Sequence, residues 1–270
     1  MESKITFKVK GVTDVGLVRE DNEDDYVIAE KLGLFIVADG IGGHNAGEIA
    51  SKTATKAILN FFQKIPKKDL SEDIENKTNE AVQAAHQQIL NLSLTNPSLE
   101  GLGTTFVSAF FKQPNYFFIA NIGDSRAYLF KNKKLEVLSQ DHSVVAQLVQ
   151  RGDITQDQAR NHPSRNIVTQ ALGIDISMGC HQKRIGVKDR DIIILCSDGL
   201  WDMLADKAIE RVVEEKGSDP QSLCFALVNA AKAAGGNDNI TVIVIFVSEC
   251  KKDLPQEIFA QLQKEKVNET

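Results

Sequence analysis

The chain has 270 residues, 42% of them hydrophobic and 25% charged, and its 31 Lys and Arg against 37 Asp and Glu give a formal charge of −6. That balance argues against nucleic acid as the main partner, since a phosphate backbone attracts a basic surface. The longest apolar runs, 192–196 and 242–247, are too short to cross a bilayer, and no apolar signal stretch follows Met1-Glu2-Ser3-Lys4, so a cytoplasmic protein with no membrane partner is expected. Cys180, Cys196, Cys224 and Cys250 show no paired metal-ligand spacing, which fits a reduced compartment.

Strands are expected over 5–13, 26–29 and 34–38. A helix follows over about 46–64, where Ile49, Ala50, Thr53, Ala57, Ile58, Phe61 and Phe62 fall near helical spacing and Pro66 marks the end. A second helix is expected over about 71–94, with Ser71 as N-cap and acidic Glu72 and Asp73 in its first turn. Residues 104–111, 116–121, 126–130 and 135–138 read as consecutive strands, with hairpin turns at Pro114-Asn115 and Asn132. The stretch 141–175 is polar, irregular or helical. A strand at 192–196, a helix over 220–234 and a buried strand at 240–247 follow, and 253–266 has the pattern of a short amphipathic helix. Runs of strands followed by runs of helices predict an α+β fold with antiparallel sheets. No repeat or compositional break marks a second domain.

The strongest local feature is a repeated device. The apolar run 34–38 leads into Asp39-Gly40, and 192–197 leads into Asp198-Gly199. A buried strand thus delivers a carboxylate at its end, and a glycine follows that permits a sharp turn or a close approach. Either pair alone reads equally well as an ordinary Asp-Gly turn. Two more acidic sites sit at strand edges: Glu20, Asp21, Glu23, Asp24 and Asp25 before one strand, and Asn237-Asp238-Asn239 before the last. Carboxylates that converge repel one another, and a cation is the natural way to hold them; all-oxygen ligation suits Mg²⁺ or Mn²⁺ better than zinc. Other chemistries lack their motifs. There is no phosphate-binding Gly-x-x-x-x-Gly-Lys, no His-Glu-x-x-His, no Gly-x-Ser-x-Gly and no Cys with Arg in the spacing of cysteine phosphatases; the third glycine of a dinucleotide fingerprint starting at Gly40 falls on Asn45.

Ordered blocks through residues 7 to 248 resemble the protein phosphatase 2C family of metal-dependent Ser/Thr phosphatases, particularly its bacterial branch. They are Gly16-Leu17-Val18-Arg19-Glu20-Asp21-Asn22-Glu23-Asp24, Val37-Ala38-Asp39-Gly40-Ile41-Gly42-Gly43-His44, Gly103-Thr104-Thr105, Asn121-Ile122-Gly123-Asp124-Ser125-Arg126-Ala127-Tyr128, Asp141-His142-Ser143, Cys196-Ser197-Asp198-Gly199-Leu200-Trp201-Asp202 and Gly236-Asn237-Asp238-Asn239-Ile240-Thr241. The resemblance implies a four-layer αββα sandwich, a catalytic domain over 1–250 with a flap at about 143–172, and a helical tail at 251–270. It implies two Mn²⁺ or Mg²⁺ ions per site, with a third possible. Asp39 would bridge the two ions and Gly40 would offer its carbonyl. Asp198 and Asp238 would complete one shell, Glu23 would serve the other ion, and Asp24 would orient bound water. Asp124, with Asp198, would hold the third ion, the alternative being a structural turn aspartate.

The implied reaction is hydrolysis of phosphoserine and phosphothreonine by direct attack of a metal-bridging water, without a phosphoenzyme. Arg19 would bind the phosphoryl group through its planar fork, unless it is tied up by Glu20 or Asp21. His44 would protonate the leaving alkoxide or simply sit exposed in its loop; in eukaryotic members the acid histidine directly follows Asp-Gly, whereas Ile41-Gly42-Gly43 intervene here. Gln147, Arg151, Arg160, His162 and Arg165 in the flap would contact substrate or solvent. Expected partners are phosphorylated proteins made by a Ser/Thr kinase, and the chain is expected to be a monomer. The alternatives are a catalytically silent binding module of the same fold and a phosphatase acting on a small phosphomonoester.

Overall fold

The computed structural model describes residues 4–42, 46–66, 73–112, 115–177 and 179–250. In chain order the strands are β1 (Lys4–Asp14), β2 (Asp25–Ala29), β3 (Leu34–Ala38), β4 (Gly40–Ile41), β5 (Gly103–Thr104), β6 (Phe106–Lys112), β7 (Tyr116–Ile122), β8 (Arg126–Lys131), β9 (Lys134–Val137), β10 (His181–Gly186), β11 (Ile192–Cys196) and β12 (Ile240–Cys250). The helices are α1 (Ala46–Lys64), α2 (Ile74–Thr95), α3 (Val144–Arg151), α4 (Gln156–Arg160), α5 (Asp198–Trp201), α6 (Asp206–Lys216) and α7 (Pro220–Ala233).

Two five-stranded antiparallel sheets, ordered β1-β12-β11-β8-β9 and β10-β7-β6-β3-β2, make the centre. The alternation of side chains along β3 and β11 sets the layers. Phe35 and Val37 of β3 meet Ile193 and Leu195 of β11 in a core between the sheets. Leu34 and Ile36 face the other way, into a core under α1 and α2. Ile192, Ile194 and Cys196 face a third core under α5, α6 and α7. With both faces covered, these strands read as unbroken apolar runs rather than alternating ones. Three stacked cores make four layers, the αββα sandwich.

Several expectations need adjustment. Strand β10 has no apolar alternation because it is the edge of its sheet, and only Ile185 in it is buried. Helix α6 escaped the sequence reading although Ile209 and Val213, four apart, are its buried pair. In α1 the buried stripe runs through Ala46, Ala50, Ala54, Ala57, Ile58 and Phe62, so Ile49, assigned to that face, is exposed. The described part of α2 opens at Ile74 with Asp73 at its N-cap; Ser71 and the tail over 251–270 lie outside the described residues. Asn132 and Lys133, at φ 52° and 62°, form the expected two-residue turn between β8 and β9.

The inter-sheet core is rich in aromatic edges: the Phe7 ring meets those of Phe35 and Phe111 at 5.3 Å between centroids. Phe35→Ala is expected to cost about 3–5 kcal/mol, read as a lower urea midpoint with an unchanged slope.

Candidate active site

The carboxylates arrive from both sheets. Asp39 directly follows strand β3, and Asp198 is the first residue of α5, two positions after β11. The two Asp-Gly pairs are not turns, and each glycine admits backbone instead. A Cβ on Gly40 would fall 2.3 Å from the Gly47 carbonyl oxygen and 2.6 Å from that of Glu23. One on Gly199 would fall 2.0 Å from the Asn239 carbonyl oxygen. Gly40 pairs with Thr104 in the short β4–β5 ladder, and its N–H donates to the Glu23 carbonyl at 3.2 Å. Asp39 is fixed through its backbone: its carbonyl accepts from the Thr104 hydroxyl at 2.8 Å and the Thr105 N–H at 2.9 Å.

Asn239 ties the acidic loop to the last strand. Its side chain accepts from Glu23 N–H at 2.8 Å and donates to the Val15 and Asp21 carbonyls at 3.0 and 2.9 Å. Sequence reading noted Asn239 only as part of a motif; an Asn between two buried strand ends, offering one acceptor and two donors, was the available signal. Ser197, also overlooked, donates to Asp24 Oδ2 at 2.7 Å and accepts from Thr241 N–H at 3.0 Å.

The fold brings Asp24, Asp39, Asp124, Asp198 and Asp238 within electrostatic reach of one another. Burial, then the neighbouring carboxylates Asp24, Asp198 and Asp124, raises the Asp39 carboxyl well above the ordinary range. Burial and then Asp198 do the same to Asp124. Burial pushes Asp24 up to about 7, against the lowering effect of hydroxyl hydrogen bonds. Asp198 is pushed up to about 6 by burial and by Asp238. Glu23 is raised mainly by burial, and its Oε1 accepts from Gly47 N–H in the first turn of α1 at 3.2 Å. Among the described residues no three His, Cys, Asp or Glu side chains already stand around a common ion position. The donor set nevertheless fits a hard divalent cation: it is all oxygen, its members raise one another's pKa, and the buried Asp24 Oδ1 has no hydrogen-bond partner.

Arg19 does not pair with Glu20 or Asp21. Its Nη2 donates to Asp238 Oδ2 at 2.7 Å, and the arginine side chain is half exposed. Asp238 Oδ1 accepts from Asn239 N–H at 2.8 Å. His44 lies outside the described residues. Next to Asp124 is a unit the sequence reading missed. Arg126 lies over the Trp201 ring, 3.9 Å from its centroid, and its Nη2 donates to Asp141 at 2.6 Å. The Trp201 indole N–H donates to the Asp124 carbonyl at 3.0 Å. The segment 143–172 docks against this unit, with Arg160 donating to the Trp201 carbonyl at 3.0 Å and Arg165 pairing with Asp202 at 3.4 Å. Gln147 donates to Thr169 within the segment.

Carboxylates that follow strands of both sheets thus converge in an αββα sandwich, with an all-oxygen donor set suited to divalent cations. The sequence model of the family described as protein phosphatase 2C matches residues 12–235. The Serine/threonine phosphatase stp of Listeria monocytogenes serotype 4b (strain F2365) is 34% identical over 247 residues, covering 90% of this chain and 95% of its own. The catalytic domain of the serine threonine protein phosphatase PstP, solved in complex with two manganese ions, superposes with a TM-score of 0.79 at 31% identity, covering 91% of this chain and all of that one. Staphylococcus aureus Serine/threonine phosphatase Stp1 does so with a TM-score of 0.82 at 31% identity, covering 91% and 97%. The chain belongs to the protein phosphatase 2C family and is of the bacterial type. Its enzyme class is that of the phosphoprotein phosphatases. No described helix is long and apolar enough to cross a membrane.

Folding holds the Asp24 and Asp198 carboxyls above their ordinary value, so it favours their protonated forms. The stability this contributes is complete below about pH 4 and is lost as pH rises through about 6 and 7. Protein in EDTA is therefore expected to lose urea stability between pH 5 and 8, and Mn²⁺ to restore it. Asp24→Asn should flatten that profile and raise the pH 8 stability in EDTA by about 1–3 kcal/mol, while weakening Mn²⁺ binding in titration calorimetry. A second expectation concerns Gly199→Ala. With carbonyl oxygen in the path of the added methyl, it should lower Tm by several degrees and weaken Mn²⁺ binding in the same calorimetry.

Proposed function

We propose that this enzyme hydrolyses phosphoserine and phosphothreonine in proteins with the help of two divalent cations, Mn²⁺ or Mg²⁺, and that a third can bind beside them. The observation that carries the reading is the convergence of Asp24 and Asp124, both buried, with the half-buried Asp39 and Asp198, where desolvation first and neighbouring carboxylates second raise each carboxyl. In this reading Asp39 would serve both ions with Gly40 contributing its carbonyl, Asp198 and Asp238 would hold one and Glu23 the other, and Asp124 with Asp198 would hold the third. Divalent cations supply Lewis acidity toward phosphoryl oxygens and lower the pKa of water toward neutrality. The two manganese ions in the PstP complex, a protein 31% identical to this chain, support that assignment.

The chain's own groups bind and orient. Arg19, half exposed beside Asp238, presents a fork that matches two phosphoryl oxygens. Asp24 has one oxygen held by Ser197 and the other free, which suits it to accept a hydrogen bond from an attacking water. His44 is the proposed proton donor to the leaving alkoxide. No nucleophile motif is needed, since water attacks directly. The working unit is residues 1–250, with 143–172 as a flap beside the site; its docking through Arg160 and Arg165 supports that assignment. The substrates are the products of a Ser/Thr kinase, and the enzyme acts as a monomer in the cytoplasm.

Phosphate release from a phosphothreonine peptide should require Mn²⁺ or Mg²⁺, cease in excess EDTA, and be abolished by Asp198→Ala. Arg19→Lys should lower kcat/KM about tenfold, roughly one charge-assisted hydrogen bond, with the ion dependence unchanged. A folded, ion-binding protein that releases no phosphate from peptide or small ester would move the assignment to a silent binding module. Release from small esters alone would move it to a small-molecule phosphatase.

A further inference from the structure

The residues just before Arg19 hold two large apolar side chains in solvent: Leu17 is 62% exposed and Val18 64%. The backbone presenting them is tightly held. Asp14 pairs with Lys232 at 2.9 Å and accepts from Gly16 N–H, also at 2.9 Å. Leu17 N–H donates to the Gly236 carbonyl at 2.7 Å, and Asn239 donates to the Val15 carbonyl at 3.0 Å. Gly16 has φ +84°, and a Cβ there would fall 2.2 Å from the Asp238 carbonyl oxygen. Leu17 and Val18 are thus displayed on a fixed loop.

The surface beside Leu17 is glycine backbone bordered by Asn237 and Met203. Leu17 leans over Gly236, where an added Cβ would come within 2.9 Å of Leu17 Cγ; a Cβ on Gly235 would come within 3.4 Å of Met203 Sδ. Gly235 and Gly236 have φ of +139° and +55°, and the exposed Asn237 amide also borders Gly235, at 3.3 Å from an added Cβ. Leu17 and Val18, with the Gly236 backbone under Leu17, form a short apolar shelf that begins one residue from the Arg19–Asp238 pair.

We propose that this shelf receives a bulky apolar side chain of the substrate protein, one to three residues from the phosphorylated Ser or Thr. The inference rests on the phosphatase reading, in which Arg19 marks the phosphoryl position. An extended chain advances about 3.3 Å per residue, so Leu17 and Val18 are within reach of residues one to three positions from a phosphate held at Arg19. Leu17 and Val18 are adjacent in the chain, both more than 60% exposed, and directly precede the proposed phosphoryl binder, a placement that suits contact with a bound polypeptide. Continuity with Arg19 makes the occupant a phosphorylated polypeptide.

The test compares the full chain with Leu17→Ser, Val18→Ser and Leu17→Met, in Mn²⁺. The substrates are phosphothreonine peptides carrying Leu or Ser at the positions one to three residues away on each side, and N-acetyl-phosphothreonine amide, which has no flanking residues. The wild-type protein should favour one Leu-flanked series by about tenfold in kcat/KM, a difference of about 1.4 kcal/mol, carried mainly by KM. The Ser variants should erase that preference and leave turnover of the blocked amino acid within about twofold, and Leu17→Met should keep it. Phosphate release without any preference for apolar flanks overturns the shelf and leaves the phosphatase reading standing. A parallel fall for peptide and blocked amino acid in the Ser variants overturns it too, since the residues would then be structural. No release from any substrate overturns the phosphatase reading and the shelf with it.

Discussion

Gathering like charges out of water is unfavourable, and in this protein Asp24, Asp39, Asp124 and Asp198 are gathered in spite of it. Their carboxyls sit above the ordinary range because burial and mutual repulsion both oppose ionisation. The repulsion is tolerable only where the backbone cannot relax away. Two sheets bury their strand ends in three contiguous cores, so Asp39 and Asp198 cannot retreat without unpacking β3 or β11. The site depends on that rigidity.

The devices around the site serve the same constraint. Gly16, Gly40 and Gly199 remove side chains where backbone segments meet, at approaches of 2.2, 2.3 and 2.0 Å for a hypothetical Cβ. Asn239 bridges the acidic loop and the last strand, and Thr104 and Thr105 hold the Asp39 backbone. The Arg126–Trp201 stack links Asp124, the last residue of α5 and the 143–172 segment. Arg19 neutralises Asp238 while remaining half exposed, so one cation both restrains an acidic neighbour and faces solvent.

The α+β class, the antiparallel strands and helices α1 and α7 were legible because their patterns are local: buried runs at 34–38 and 192–196, helical spacing in 46–64, turn residues at Asn132. What escaped had weak local signals. Strand β10, an edge, carries Gln182, Lys183 and Arg184 in place of alternation. Helix α6 hides its buried pair among charges. The α1 stripe was misplaced by about one residue, since Ile49 is apolar yet faces solvent, and composition alone does not orient a helix. In the site, acidic residues at strand ends stood out as motifs, but pairings across the chain did not. Arg19 was weighed against its neighbours Glu20 and Asp21, and its partner proved to be Asp238, 219 positions away.

Residue order by itself determined which side chains could carry chemistry, because carboxylates at the ends of apolar strands and glycines beside them are properties of short segments. It also determined the antiparallel α+β class, since apolar runs and turn residues are local, but not the stacking into four layers, which depends on how the sheets and helices pack. Only the tertiary structure decided which carboxylates meet, how far burial raises each, which oxygen of Asp24 is left without a partner, and that Leu17 and Val18 stand in solvent beside Arg19. Those outcomes arise from contacts between segments up to about two hundred residues apart, and desolvation and mutual repulsion depend on three-dimensional distance, which no local pattern encodes.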